Sequence, residues 1–301
     1  MAMRAPVGCV FLKTYNCRDA HHWPWAQSPI TMHTLRTAAL LPWEQTDPNL
    51  KAQATLALDL SLPVGAHDSL SAPTAGPGRA ARPLLVPHTQ LKAKSMTTPE
   101  GRAMLVHSIA HIELNAIDLA LDVVWRFAGM PEAFYTDWVR IAQEEAKHFL
   151  LLREHLVSMG FDYGDFPAHN TLWDMAERTQ GDILARIGIV PRTMEARGLD
   201  ASPGVKNKLV SVGDHRAGEI LDIILEEEIG HVAAGNRWYR YLCKERGLDP
   251  VHTYAELIAQ YDAPKLRPPF NMPARRLAGF EEVELACLGN DLLKNNQRQH
   301  V

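Results

Sequence analysis

The segments EEAKHF (residues 144–149) and EEEIGH (residues 226–231) decide how this chain is read. Each holds a Glu-x-x-His pair: Glu145 with His148, and Glu228 with His231. Three residues turn a helix by roughly 300°, so both members of a pair project from one face and can meet one ion. The face around Glu145 also carries Trp138, Ile141, Phe149 and Leu152, and the face around Glu228 carries Leu221, Ile224, Leu225 and Val232. An acid alone in an apolar stripe is predicted to be buried. An isolated buried carboxylate is costly unless it is protonated, paired or bound to a metal.

Outward from these segments, the chain divides at its helix starts and stops. Thr98 and Pro99 open a helix that runs without a breaker to Gly129, and a second extends from Pro131 to Gly160. TLWDMAERTQGDILARIGIVPRTMEARGLD (171–200) reads as a third helix, kinked or interrupted at Pro191. A fourth is predicted from about Val205 to Arg246, stopped by Gly247. On the first helix Glu113 is flanked at helical spacing by Val106, Ile109, Ala110, Ile117, Ala120 and Val124. On the third, Glu195 follows Leu184, Gly188 and Pro191 and precedes Leu199. Each helix thus places a glutamate where burial is expected.

The predicted fold class is all-α, with an antiparallel four-helix bundle over residues 99–248. Before it stand a poorly structured extension (1–33) and a helical segment with a Pro/Gly-rich wrapping linker (34–98), the helical part broken near Pro48. After it, residues 249–301 read as coil and one closing helix. Residues 1–31 lack periodicity and a plausible helix start follows Met32, so a misassigned start codon is one hypothesis, and whether residues 1–31 belong to the native chain is left open. Mass spectrometry of the native N-terminus tests this.

Composition narrows the classes. The chain has 301 residues, 46% hydrophobic and 22% charged, and a net charge of -4, values of an ordinary globular protein with no strong field for nucleic acid or anionic membrane. Cys9, Cys17, Cys243 and Cys287 form no Cys-x-x-Cys pair, so a disulfide scaffold is not suggested. No signal-peptide core and no apolar run approaching ~20 residues is visible, and the cytoplasm is the expected location.

Four buried glutamates need a shared cation. Two divalent ions would neutralise them, and two neutral imidazoles would complete six protein ligands: Glu113, Glu145, His148, Glu195, Glu228 and His231. One Glu from each of two helices and a Glu-x-x-His from each of the other two is the pattern of ferritin-like di-metal proteins. Glu144, Glu226 and Glu227 lie one or two residues off the ligand face and read as solvated or supporting groups, with Glu227 the competitor of Glu228 for the ligand role. Asp118, Asp122 and Asp222 are candidates to orient the histidines. His107 and His111, four residues apart on another face, read as hydrogen-bonded rather than metal-binding. Arg275 and Arg276 are expected to form ion pairs rather than a phosphate site.

HSIAHIELNAIDLALDVVWRF (107–127), EEAKHF, MEARGLD (194–200), EEEIGHVAAGNRWY (226–239) and RPPFNMPARRLAGF (267–280) together resemble an uncharacterised bacterial ferritin-like family with a domain of unknown function. The likeness covers roughly residues 34–290. MEARGLD is similar to the third-helix segment of the tRNA-modifying di-iron hydroxylases, where the Glu before Ala-Arg is a metal ligand. This resemblance implies Glu195, rather than Glu177, as the third-helix ligand.

A mixed carboxylate and imidazole set suits two iron ions, with manganese or a mixed manganese/iron pair as the alternative, whereas structural zinc prefers closed Cys/His sites. The expected function is an oxygen-dependent oxidoreductase or hydroxylase acting on a small molecule, with dioxygen or peroxide and an electron donor as partners. Alternatives are a ferroxidase or iron-storage role, a dimanganese catalase or peroxidase, and a metal-free structural bundle. A tRNA substrate ranks below a small molecule because the acidic balance supplies no phosphate-binding surface. No membrane association is expected, and a homodimer is left open.

Overall fold

A computed structural model describes residues 33–71, 74 and 76–288, and within them the protein is all-α. No strand forms among the described residues; an isolated bridge joins Leu85 to Ala168. Residues 1–32, including the candidate start at Met32, and residues 289–301, including the end of the predicted closing helix, lie outside the described part.

The first two long helices begin and end on the predicted signals. In α4 (Pro99–Arg126) the Thr98 hydroxyl accepts the Gly101 N–H at 3.1 Å, and Pro99 occupies a first-turn position where no backbone donor is needed. Helix α5 (Glu132–Ser158) follows Pro131 and ends beside Gly160, which turns the chain at φ +85°. The third and fourth helices depart from the sequence reading. Residues 171–200 form three pieces: α6 (Thr171–Arg178), α7 (Ile183–Ile189) and a π-helical turn over Val190–Glu195, which continues into α8 (Ala196–Ser211). The full break falls at Thr179–Asp182, where the Asp182 carboxylate caps Leu184 N–H at 3.0 Å. At Pro191 the helix widens instead of breaking, and the Thr193 hydroxyl donates to the Gly188 carbonyl at 2.8 Å. Residues 205–211, predicted to open the fourth helix, close α8. Gly213 reverses the chain at φ +87°, and Asp214 caps α9 (His215–Glu245) through Ala217 N–H.

Helix α4 packs along α5, α5 along α9, and α9 along α7, the π-turn and α8. Helix α4 is buried on nearly every side, with Val106, Ala110, Ile117, Leu121 and Val124 at or near zero exposure. It is the one described helix long and apolar enough to cross a membrane, and 72% of that apolar window is packed inside the protein.

The N-terminal helices α1 (Leu35–Ala38), α2 (Leu40–Glu44) and α3 (Pro48–Leu56) are tied to α4 by two buried cations. Arg36 donates to the Val124 and Trp125 carbonyls at 2.9 and 2.8 Å, satisfying the end of α4 where helical partners run out, and to Gly65 and Asp68 carbonyls. Lys51 of α3 bonds Asp118 of α4 and the Trp43 carbonyl. The C-terminal region is more helical than expected: α10 (Pro250–Gln260) and α11 (Met272–Leu277) occupy the predicted coil, and α12 (Glu282–Ala286) follows. Arg275 pairs with Asp200, and Arg276 with Glu282, so both arginines are engaged in ion pairs.

Candidate metal centre

Helical spacing brings acid and imidazole groups from α4, α5 and α9 to one buried point. Ligand atoms of Glu113, Glu145, His148 and Glu228 all lie within 4.8 Å of one another. His148 Nδ1 is 3.2 Å from Glu113 Oε2 and 3.4 Å from Glu145 Oε2. His231 Nδ1 is 2.9 Å from Glu145 Oε1 and 3.6 Å from Glu228 Oε1, and the two imidazole rings stand 5.9 Å apart. Glu145, His148 and His231 are at most 1% exposed, Glu113 and Glu228 slightly more, and Glu195, at the end of the π-turn, is half-buried. Glu195 makes no hydrogen bond to the other five but is close enough to feel the charges of Glu228, Glu145 and His231.

The cluster is polar yet incompletely bonded. Both carboxylate oxygens of Glu145, Oε2 of Glu195, Oε2 of Glu228 and Nδ1 of His231 are buried without a hydrogen-bond partner. Glu145 Oε1 and His231 Nδ1 approach to 2.9 Å without the alignment of a hydrogen bond. Buried polar atoms are normally satisfied, so several orphans in one cluster make it the candidate binding site of the described residues.

Protonation follows from burial and mutual charge. Burial, reinforced by the Glu145 charge, pushes the Glu113 carboxyl well above the usual range; burial with Glu228 and Glu145 does the same to Glu195. Burial and Glu145 also raise Glu228, against the pull of His231 and His148. Burial would raise Glu145 too, but the facing His231 and His148 cations outweigh it and hold it well below the usual range. Burial opposes charge on the histidines, yet the Glu113 and Glu145 carboxylates push His148 up to about 10, and Glu145 and Glu228 push His231 well above its ordinary value.

The groups outside this cluster differ from the sequence expectation. Asp118 binds Lys51 and Arg79, Asp122 binds Arg126 and Arg186, and exposed Asp222 binds Lys206; none reaches a histidine of the centre. The outward ring nitrogens are instead held by Glu227, 2.8 Å from His148 Nε2, and Glu144, 2.7 Å from His231 Nε2. Glu227 therefore faces the outer edge of His148, while Glu228 faces the interior. The sequence signal was the doubled acid in both Glu-Glu-x-x-His segments, but it carries no partner information. Glu226 is exposed, and Glu177 accepts the Trp173 indole N–H. His111 spends both ring nitrogens on Tyr163 and the His169 carbonyl, and His107 accepts Gly164 N–H. Burial lowers both, to about 3 for His111 and about 4 for His107, so they stay neutral.

Residues 44–286 match the family described as "Protein of unknown function (DUF455)", and the chain belongs to that family. It is similar to an uncharacterized protein of Haemophilus influenzae (strain ATCC 51907 / DSM 11121 / KW20 / Rd), 47% identical over 211 residues that cover 68% of this chain and 73% of the relative. No solved structure matches it significantly.

Proposed function

We propose that α4, α5, the α7–α8 helix and α9 form a ferritin-like antiparallel four-helix bundle around a carboxylate-bridged metal pair, with iron the first choice, serving an oxygen-dependent oxidoreductase. The observation that carries this reading is the group of unpartnered atoms on Glu145, Glu195, Glu228 and His231, beside the Glu113, Glu145, His148 and Glu228 cluster. A mixed oxygen and imidazole donor set fits iron or manganese. Glu113, Glu145 and His148 would hold one ion and Glu195, Glu228 and His231 the other, with Glu145 and Glu228 between the halves. When bound, a reduced iron pair supplies two electrons for the activation of dioxygen.

The chain's own part is charge balance, orientation and exclusion of water. In the metal-free state Glu145 is ionised, both histidines hold their protons, and Glu113 and Glu195 favour the neutral acid. With Glu228 ionised, this arrangement is neutral overall. So is the loaded arrangement of four carboxylates, two neutral imidazoles and two divalent ions.

Anaerobic reconstitution with ferrous iron tests the reading. Two irons per chain and an oxygen-induced near-ultraviolet band are expected, and Glu113→Ala and His231→Ala should each lose at least one ion. Absence of stoichiometric uptake would end it.

A further inference from the structure

We propose that Glu144 and Glu227 are positioning residues that reach across the α5–α9 interface to hold each other's histidine, fixing Nδ1 as the metal-binding nitrogen, and that Lys147 makes the two halves unequal. This rests on the metal reading of the same site. The exchange is reciprocal: Glu144 of α5 holds His231 of α9, and Glu227 of α9 holds His148 of α5. In each helix the residue just before the inward glutamate serves the opposite helix, which gives the repeated Glu-Glu-x-x-His a purpose in both places.

A carboxylate only accepts hydrogen bonds, so each Nε2 must carry the proton. A neutral imidazole protonated at Nε2 has its lone pair on Nδ1, and both Nδ1 atoms face the inner carboxylates. The outer acids thereby fix ring orientation before any ion arrives and keep the Nε2 proton in place, so that Nδ1 is the nitrogen that gives up its proton to the metal, and their charge makes the rings better donors.

The two halves differ in one cation. Lys147 pairs with Glu227 and draws on the carboxylate that polarises His148. Glu144 has no Lys or Arg nitrogen within 4 Å among the described residues, and its partly exposed side chain lines a groove of about 330 Å³ with Leu56, Arg140, Lys147 and Leu150. His148 is accordingly the less polarised ligand and His231 the more polarised one.

The test uses the full chain, stripped of metal and loaded with cobalt(II), with proton NMR of the paramagnetically shifted histidine signals in H2O and D2O. Coordination through Nδ1 should give each ring one exchangeable Nε2–H signal and one sharp Hδ2 signal. Glu144→Ala should remove the His231 exchangeable signal through faster exchange with water, and Glu227→Ala the His148 signal, each with about a 10- to 100-fold loss of affinity at one ion. Glu144→Gln, which can still accept from Nε2–H, should restore the signal, whereas a merely structural defect would not be rescued selectively. Lys147→Met should shift the His148 signal and leave His231 in place. Cobalt bound through Nε2, or alanine variants with unchanged signals, would overturn the positioning role alone. No cobalt uptake by the unaltered chain would overturn the metal reading and this inference with it.

Discussion

Titrating the metal-free protein with ferrous or manganous ion at pH 7 should release about four protons per metal pair, the number that keeps the site neutral when two divalent charges enter. His148, pushed up to about 10, and His231, well above its ordinary value, each give up the Nδ1 proton, while Glu113 and Glu195 supply the other two. Release of n protons makes the binding constant change 10^n-fold per pH unit. The overall two-ion constant should thus weaken about 10,000-fold for each unit of acidification near neutrality, about 5.4 kcal/mol at 1.36 kcal/mol per proton and pH unit. Calorimetric titration in buffers of different ionisation enthalpy reads the proton count directly. Fewer than two protons per pair would mean that even the histidines were not charged beforehand, and would refute the charge balance of the metal-free protein.

Three further outcomes follow from the same contacts. Thermal stability of the metal-free protein should fall between pH 6 and 10: the stabilisation from His148, complete below 6.5, is lost as pH rises through about 10, and the raised Glu113 and Glu195 resist ionisation that the unfolded chain undergoes freely. A melting temperature that rises across this range would contradict the assignment. Asp118→Asn should cost about 3–5 kcal/mol in denaturant unfolding because Lys51 stays buried without its counter-charge, and Lys51→Met should cost less because Asp118 keeps Arg79; the reverse order would show that the carboxylate is not the centre of this network. Gly235→Ala places a methyl 3.1 Å from Pro191 Cβ, against the π-turn that carries Glu195, so it should cost about 1–3 kcal/mol and weaken the ion on the Glu195 side. Unchanged unfolding and metal affinity would show that the turn yields freely.

Much of this protein follows from local pattern. Thr98 and Pro99 mark the start of α4, Gly160 the end of α5, and the 3.6-residue period makes Glu113, Glu145, His148, Glu228 and His231 inward-facing, because side-chain direction on a helix is a property of spacing alone. Pattern misjudged the region from 171 to 215. At Pro191 the helix packs against a distant neighbour: a Cβ at Gly235 of α9 would lie 3.1 Å from Pro191 Cβ, a contact 44 positions away in the chain that no local pattern contains. The division of labour between adjacent glutamates was equally hidden. Glu144 and Glu145 differ by one position and about 100° of rotation. Which of them meets an imidazole edge and which faces the buried centre was decided by α9 lying against α5, where His231 accepts both arrangements at its two nitrogens. Sequence determines the faces of these helices; only their packing determines what each face meets.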